Sequence, residues 1–473
     1  MAELHEYTAL ALHELLQRGE TSPVELARHF LDRVERLNPE LGAFVTVTPE
    51  LALERAAFVE RHVPKAAPLW GLPLGDKDLH DRAGVPSGYG SRAFAGAVPE
   101  ASDELVAAVD EAGAVSLGKT SAPEFGQPAY TETLVGPPAR DPWDPARGAG
   151  GSSGGAAAAV ASGMLPFAPG SDGGGSIRIP AASCGLVGVK PSRGRVPAGS
   201  GLTGLGGLVT AGPIARTVAD AALLLDGMIA PSGYPARHGS AVRAPGDDGP
   251  YLGAAIRGEG RFQLAVSTDS PWDEAYDIRL APEARAGLDA AIEAAVALGH
   301  GLEELEPAPE PGYAPAFIAL WQGGASAIPV DGERLELFEP LTRWLLEEGR
   351  GMPARRLAEA VGWLAEFERR TIRRFAPYDA VLTPALATLP PYVGSWTLDD
   401  GPENFAEQVR FTPYTSFVNV SGLPAITIPT DFADGHPVGV QLIGRPGGEA
   451  TLFAIAAQLE RRLRVVGRRP ALW

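Results

Sequence analysis

Residues 148–196 read GAGGSSGGAAAAVASGMLPFAPGSDGGGSIRIPAASCGLVGVKPSRGRV. Two glycine-rich turns, one holding Ser152 and Ser153 and the other Ser176, flank an alanine-rich apolar run that begins at Ala156. Glycine and serine at this density also make flexible linkers, because they order poorly. An apolar run following the first turn at once, and a second glycine patch after it, point instead to two tight turns that each present a serine.

The surrounding chain supports a folded setting. Upstream, Thr21-Ser22-Pro23-Val24-Glu25 has the hydroxyl, proline and acid of a helix start, and Leu26, Phe30, Val34 and Leu37 follow at helical spacing. Helices are expected up to about His62. Between 69 and 230, short apolar runs alternate with Gly, Pro and Ser, as in buried strands and helices packed in layers. Residues 231–262 are rich in Pro, Gly and charge and are expected to form a surface excursion. Residues 281–376 are helical in composition. Strand-like runs return in YDAVLTP, LPAITIP and PVGVQLIG before a last helix at 450–462. The expected organisation is one interleaved domain over 1–473. Its parts are an N-terminal helical segment (1–68), a core (69–230), a helical insertion (281–376) and C-terminal strands with a helix (377–473).

With 473 residues, 45% of them hydrophobic, the chain can bury a large core. Its formal charge of −18 disfavours phosphate backbones and anionic lipid, so neither nucleic acid nor membrane is an expected partner. The charged start MAELHEYTAL lacks the apolar segment of a secretion signal. Cys184 is the single cysteine, which excludes an internal disulfide, fits a cytoplasmic protein and reads as a small core residue.

Two familiar patterns compete for the chemistry. Gly113–Thr120 fits G-x-x-x-x-G-K-[ST], the phosphate loop of nucleotide-binding proteins. Its four variable residues, Ala-Val-Ser-Leu, are themselves strand-like, and Ser121-Ala122-Pro123 opens no long helix, so a buried strand ending at Gly118 is the better expectation. Gly150–Gly154 fits G-x-S-x-G, but the strand that should precede a nucleophile elbow is replaced by Asp141-Pro-Trp-Asp-Pro-Ala-Arg-Gly-Ala. Downstream histidines number three, His238, His300 and His436; the last two read as an exposed helix end and an exposed hairpin turn.

A serine without histidine needs another base. The chain has four lysines, Lys65, Lys77, Lys119 and Lys190. Lys77, in Pro73-Leu-Gly-Asp-Lys77-Asp78, ends a short apolar segment; burial would lower its pKa and free its lone pair, whereas an ion pair with Asp76 or Asp78 would keep it charged.

These elements together resemble the amidase signature hydrolases, over nearly the whole chain. The likeness rests on the two serine loops 24 residues apart, the lysine 75 residues upstream of Ser152, Gly118-Lys119-Thr120 before Glu124-Phe125, the run 212–218, Pro424-Ala425, and Gly439-Val440-Gln441. Ser121-Ala122-Pro123 and Gly173 depart from common family residues. The resemblance implies a large mixed β-sheet covered by helices on both faces, and hydrolysis of a small amide without cofactor or metal. It makes Ser176 the nucleophile, Ser152 a bridging serine in a cis peptide and Lys77 the neutral base. The backbone N–H groups of Gly173, Gly174, Gly175 and Ser176 become an oxyanion hole, with Ser153, Asp172 and Arg178 supporting it. Trp321 and Phe417 are candidate walls of an apolar pocket. Within the family, LPFAPGSDGGGSIRIPA and its neighbours look most like the 6-aminohexanoate-cyclic-dimer hydrolase branch. The expected partner is a small neutral linear or cyclic amide, and the expected assembly a homodimer. The A subunit of glutamine-dependent tRNA amidotransferase shares the same motifs and stands as the alternative.

Overall fold

The computed structural model describes residues 3–197, 204–229 and 250–473. The N-terminal helices form as their caps dictate. Ser22 Oγ accepts from Glu25 N at 3.2 Å while the Glu25 carboxylate accepts from Ser22 N at 2.8 Å, and Pro23 opens a helix that runs to Leu41. Gly42, left-handed at φ 59°, ends it, and a further helix, Pro49–His62, follows strand β1 (Phe44–Val47).

Strand β1 belongs to a small sheet with β2 (Pro73–Lys77) and β3 (Val115–Thr120), in the order β1-β3-β2, with β2 parallel to β3 and β1 antiparallel. Most of the phosphate-loop pattern therefore lies in β3. Every residue of β3 is buried, and it runs two positions beyond the expected Gly118.

The large sheet has eight strands: β4 (Phe167–Asp172), β5 (Val187–Lys190), β6 (Thr210–Ala215), β7 (Gln263–Val266), β8 (Gly301–Glu304), β9 (Ala380–Pro384), β10 (Ala425–Ala433) and β11 (His436–Gly444). Their order is β4-β6-β5-β10-β11-β9-β7-β8, antiparallel from β4 to β9 and parallel across β9, β7 and β8. Because side chains alternate along a strand, each face feeds a separate core. Leu264, Leu382, Ile426 and Leu442 join the core built with the N-terminal helices and the helices Val218–Ile229, Pro282–Ala297 and Glu449–Leu463. Their neighbours Ala265, Val381, Ala425 and Ile443 join the other, built with the helices Tyr313–Ala325, Pro340–Gly351, Ala354–Phe375 and Gly401–Phe411. The result is the mixed sheet between helical layers that the resemblance implies.

Three local expectations change. The helical block contains strand β8, which pairs with β7. Most of the 231–262 excursion lies outside the described residues, as does His238, but Tyr251–Arg257 is a helix whose first two N–H groups donate to Asp226. Finally, His300 and His436 are buried rather than exposed. His436 does open the second strand of a hairpin whose turn residues Asp434 and Gly435 are left-handed, but the hairpin leans on the buried Asp141, which binds the His436 ring. His300 Nδ1 accepts from Phe262 N at 3.2 Å. Cys184 is buried in the core as expected.

Candidate active site

Strand β2 delivers Lys77 to the interior, and the acids beside it are engaged elsewhere. Asp76 takes Arg82 at 2.6 Å and Ser116 Oγ at 2.7 Å; Asp78 lies 3.3 Å from Lys119 Nζ. Lys77 thus has no carboxylate in contact among the described residues. Its Nζ sits 2.8 Å from Ser152 Oγ, 3.1 Å from Ser171 Oγ and 3.2 Å from Ser171 O, with the side chain fully buried. Loss of hydration drives its pKa down from 10.5 to about 7, against a weaker opposing pull from the Asp172 carboxylate. Roughly half of such a group is a neutral amine at pH 7, with a lone pair free to accept a proton.

The peptide Gly151–Ser152 is cis. A Cβ at Gly151 would come within 2.5 Å of the Tyr130 backbone, so only glycine fits beside Ser152. Ser153 ties the two loops together: its N–H donates to Ser176 O at 3.1 Å. The helix Gly154–Ala161 then begins, all eight of its residues buried.

The second loop is organised by Asp172 at the end of β4. Its carboxylate accepts from Arg178 Nε and Nη2, both at 2.9 Å, and from Asn419 Nδ2 at 2.8 Å. It also accepts the backbone N–H groups of Gly175 at 2.7 Å and Ile177 at 3.2 Å. Burial alone would raise the Asp172 pKa, but Arg178 and the other donors outweigh it and hold the carboxyl well below the usual carboxylate range. Arg178 in turn donates to Gln441 Oε1 at 2.5 Å and Thr415 O at 3.0 Å. The Asp172–Arg178 pair is therefore a buried strut under the Ser176 loop, not a surface ion pair.

This strut corrects the expected oxyanion hole. The Gly175 N–H points back into Asp172 and is not available to a substrate oxygen. Gly175 serves the turn instead: it sits at φ +133°, and a Cβ there would meet Thr415 Oγ1 at 2.4 Å. The N–H groups of Gly173, Gly174 and Ser176 donate to no such acceptor among the described residues.

Ser152, Ser171, Gly173 and Ser176 line a cavity of about 530 Å³ whose other walls include Leu208, Leu320 and Trp321. A second hollow of about 60 Å³, walled by Trp272, Phe317, Phe405 and Ile179, meets the first at Ser176, Gln127 and Trp321. Trp321 is thus brought to the site. Phe417 is not: it lines a separate cavity with Phe375 and Arg374, whereas Thr415 Oγ1 donates to Gly174 O and Ser416 lines the small hollow. Two residues escape a reading of the sequence. Gln127 holds a buried side-chain oxygen without a protein partner where the two hollows join, and it lies just beyond the Glu124-Phe125 motif. Asn419, bonded to Asp172 and Arg178, lies in an apolar run with nothing to mark it. Glu3, His5 and His29 bring metal-capable atoms within 4.8 Å of one another, but none lines either hollow.

Known proteins resemble the chain in both sequence and fold. The family model described as Amidase matches residues 25–453. A Mycobacterium tuberculosis protein carrying the amidase name AmiB2 is 36% identical over 470 residues, covering 98% of both chains. The glutamyl-tRNA(Gln) amidotransferase A subunit of Chloroflexus aggregans is 36% identical over 503 residues, covering 100% of this chain and 99% of its own. The structure of 6-aminohexanoate cyclic dimer hydrolase complexed with substrate superposes with a TM-score of 0.89 at 29% identity, over 99% of this chain and 100% of that one. By sequence, fold and the match along almost its full length, the chain belongs to the amidase family.

Proposed function

We propose that the protein hydrolyses the C–N bond of a small amide through an acyl-enzyme on Ser176. The observation that carries this reading is the placement of a fully buried lysine amine 2.8 Å from Ser152 Oγ, in the wall of the cavity that holds Ser176. Ser176 Oγ attacks the carbonyl carbon; its proton passes to Ser152, and the proton of Ser152 to Lys77. The N–H groups of Gly173, Gly174 and Ser176 receive the developing oxyanion. The relay then protonates the leaving nitrogen, the amine departs, and water attacks the ester by the same route to release the acid and restore Ser176. Asp172 and Arg178 hold the loop and make no contact with substrate. No step draws on a metal or cofactor.

The chain works as one domain in this reading, since β10 and β11, from its C-terminal part, sit between β5 and β9 in the sheet. A cytoplasmic homodimer acting on a free small molecule is the setting we assign; among the described residues no helix is long and apolar enough to cross a membrane. The purified chain alone should hydrolyse amides, and acid-quenched mass spectrometry should show the acyl group on Ser176. Ser176→Ala should lower kcat by at least about 10³-fold and abolish the adduct. Activity only in the presence of partner subunits and an acceptor tRNA would favour the amidotransferase alternative.

A further inference from the structure

The relay fixes which half of the substrate enters which hollow. The leaving nitrogen must take its proton from Ser152, and Ser152 lines the large cavity but not the small aromatic one. The amine half therefore extends into the large cavity, leaving the small hollow to the acyl group.

The large cavity is mostly apolar; besides the serines and Gln127, its polar lining residues are His80, Asp103 and Glu104. His80 is carried by the same strand end as the base: its backbone N–H donates to Lys77 O at 2.9 Å. Its ring is clamped from one side, Nδ1 lying 2.8 Å from Asp103 Oδ2. Asp103 is itself fixed, because Oδ1 accepts from Val106 N at 2.9 Å and caps the helix Glu104–Glu111. In the neutral tautomer whose Nδ1–H donates to the carboxylate, Nε2 presents a lone pair. That Nε2 is buried and has no protein partner. Burying an acceptor without a partner is unfavourable, so its position in a substrate cavity marks it for a ligand donor. The Asp103 carboxylate touches the ring, Glu104 lines the same cavity, and among the described residues no lysine or arginine does.

We infer that His80, oriented by Asp103, accepts a hydrogen bond from a protonated nitrogen on the amine half of the substrate. The preferred substrates are then amides of diamines or amino-substituted amines, with an apolar acyl group. This rests on the amidase reading above.

The test compares kcat/KM for two amides with the same apolar acyl group: one of a diaminoalkane, one of the alkylamine of equal length. A third amide carries its amino group on the acyl half. The wild type should prefer the diamine amide by about tenfold, equivalent to about 1.4 kcal/mol, with no gain for the third. The preference should fall below about threefold in His80→Ala and Asp103→Asn, chiefly through KM, and be partly restored in His80→Gln. Asparagine caps a helix as well as aspartate does, so Asp103→Asn separates orientation of the ring from loss of the helix cap. Because the ratio cancels any common loss of folding or catalysis, it isolates recognition. Hydrolysis of both amides by wild type at equal kcat/KM, or an undiminished preference in His80→Ala, overturns this inference alone. Hydrolysis of neither overturns the amidase reading along with it.

Discussion

Lys77 and Lys190 sit in matching circumstances and face different neighbours. Both are fully buried, and burial lowers both from 10.5 to about 7. Each ends a strand, β2 for one and β5 for the other. In both cases the folded state holds fewer protons than the unfolded chain between about pH 7 and pH 10.5, so each makes the fold more stable as pH rises across that window. Only Lys77 touches a serine hydroxyl of the cavity. Lys190 Nζ donates to Pro191 O at 2.9 Å and is pushed down further by Arg178, with Asp172 and Glu449 pulling the other way. A neutral amine is therefore not sufficient for a base; the hydroxyl 2.8 Å away makes the difference.

The largest expected effect breaks this pair apart. Lys77→Met should lower kcat by about 10²–10⁴-fold, the usual range for a lost general base. Lys190→Met, equally apolar and equally buried, should change kcat by less than about tenfold, measured on the same amide. A smaller effect sharpens the comparison through their shared neighbour. Asp172→Asn leaves Arg178 charged without its anion in a fully buried site, and should destabilise the fold by about 3–5 kcal/mol in denaturant melts. It should also lower kcat, because the turn that presents Ser176 loses the carboxylate that anchors Gly175 and Ile177. The smallest concerns the pocket. Trp321→Ala should raise KM for an apolar amide by several-fold to about tenfold, in line with lost apolar contact. Phe417→Ala should lower the melting temperature and leave KM unchanged.

Much of the site is legible in the sequence because its chemistry is compressed into short motifs. The glycine pattern marks the two serine turns and the scarcity of other bases singles out Lys77, while the roles of Ser176, Ser152 and Lys77 come from the family likeness. The mixed sheet comes from the family likeness, since apolar runs such as Val187–Val189 do not declare their partners. What stays hidden depends on long-range pairing. Asn419 reaches Asp172 across 247 positions, and His436 reaches Asp141 across 295. A histidine in a Gly-His-Pro turn reads as exposed until the structure places a buried carboxylate beneath it. Gly175 departs from its expected role for a related reason: sequence shows that a glycine can approach a ligand, but not that its N–H already has an acceptor.

Lys77 works through Ser152 only when its amine is deprotonated. The rate constant kcat/KM should therefore rise with pH through about 7 and then level off. The decisive measurement is that profile for wild type, Lys77→Met and Lys190→Met. The rising limb should persist in Lys190→Met and vanish in Lys77→Met. A limb that survives in Lys77→Met and disappears in Lys190→Met would remove Lys77 from the role of base.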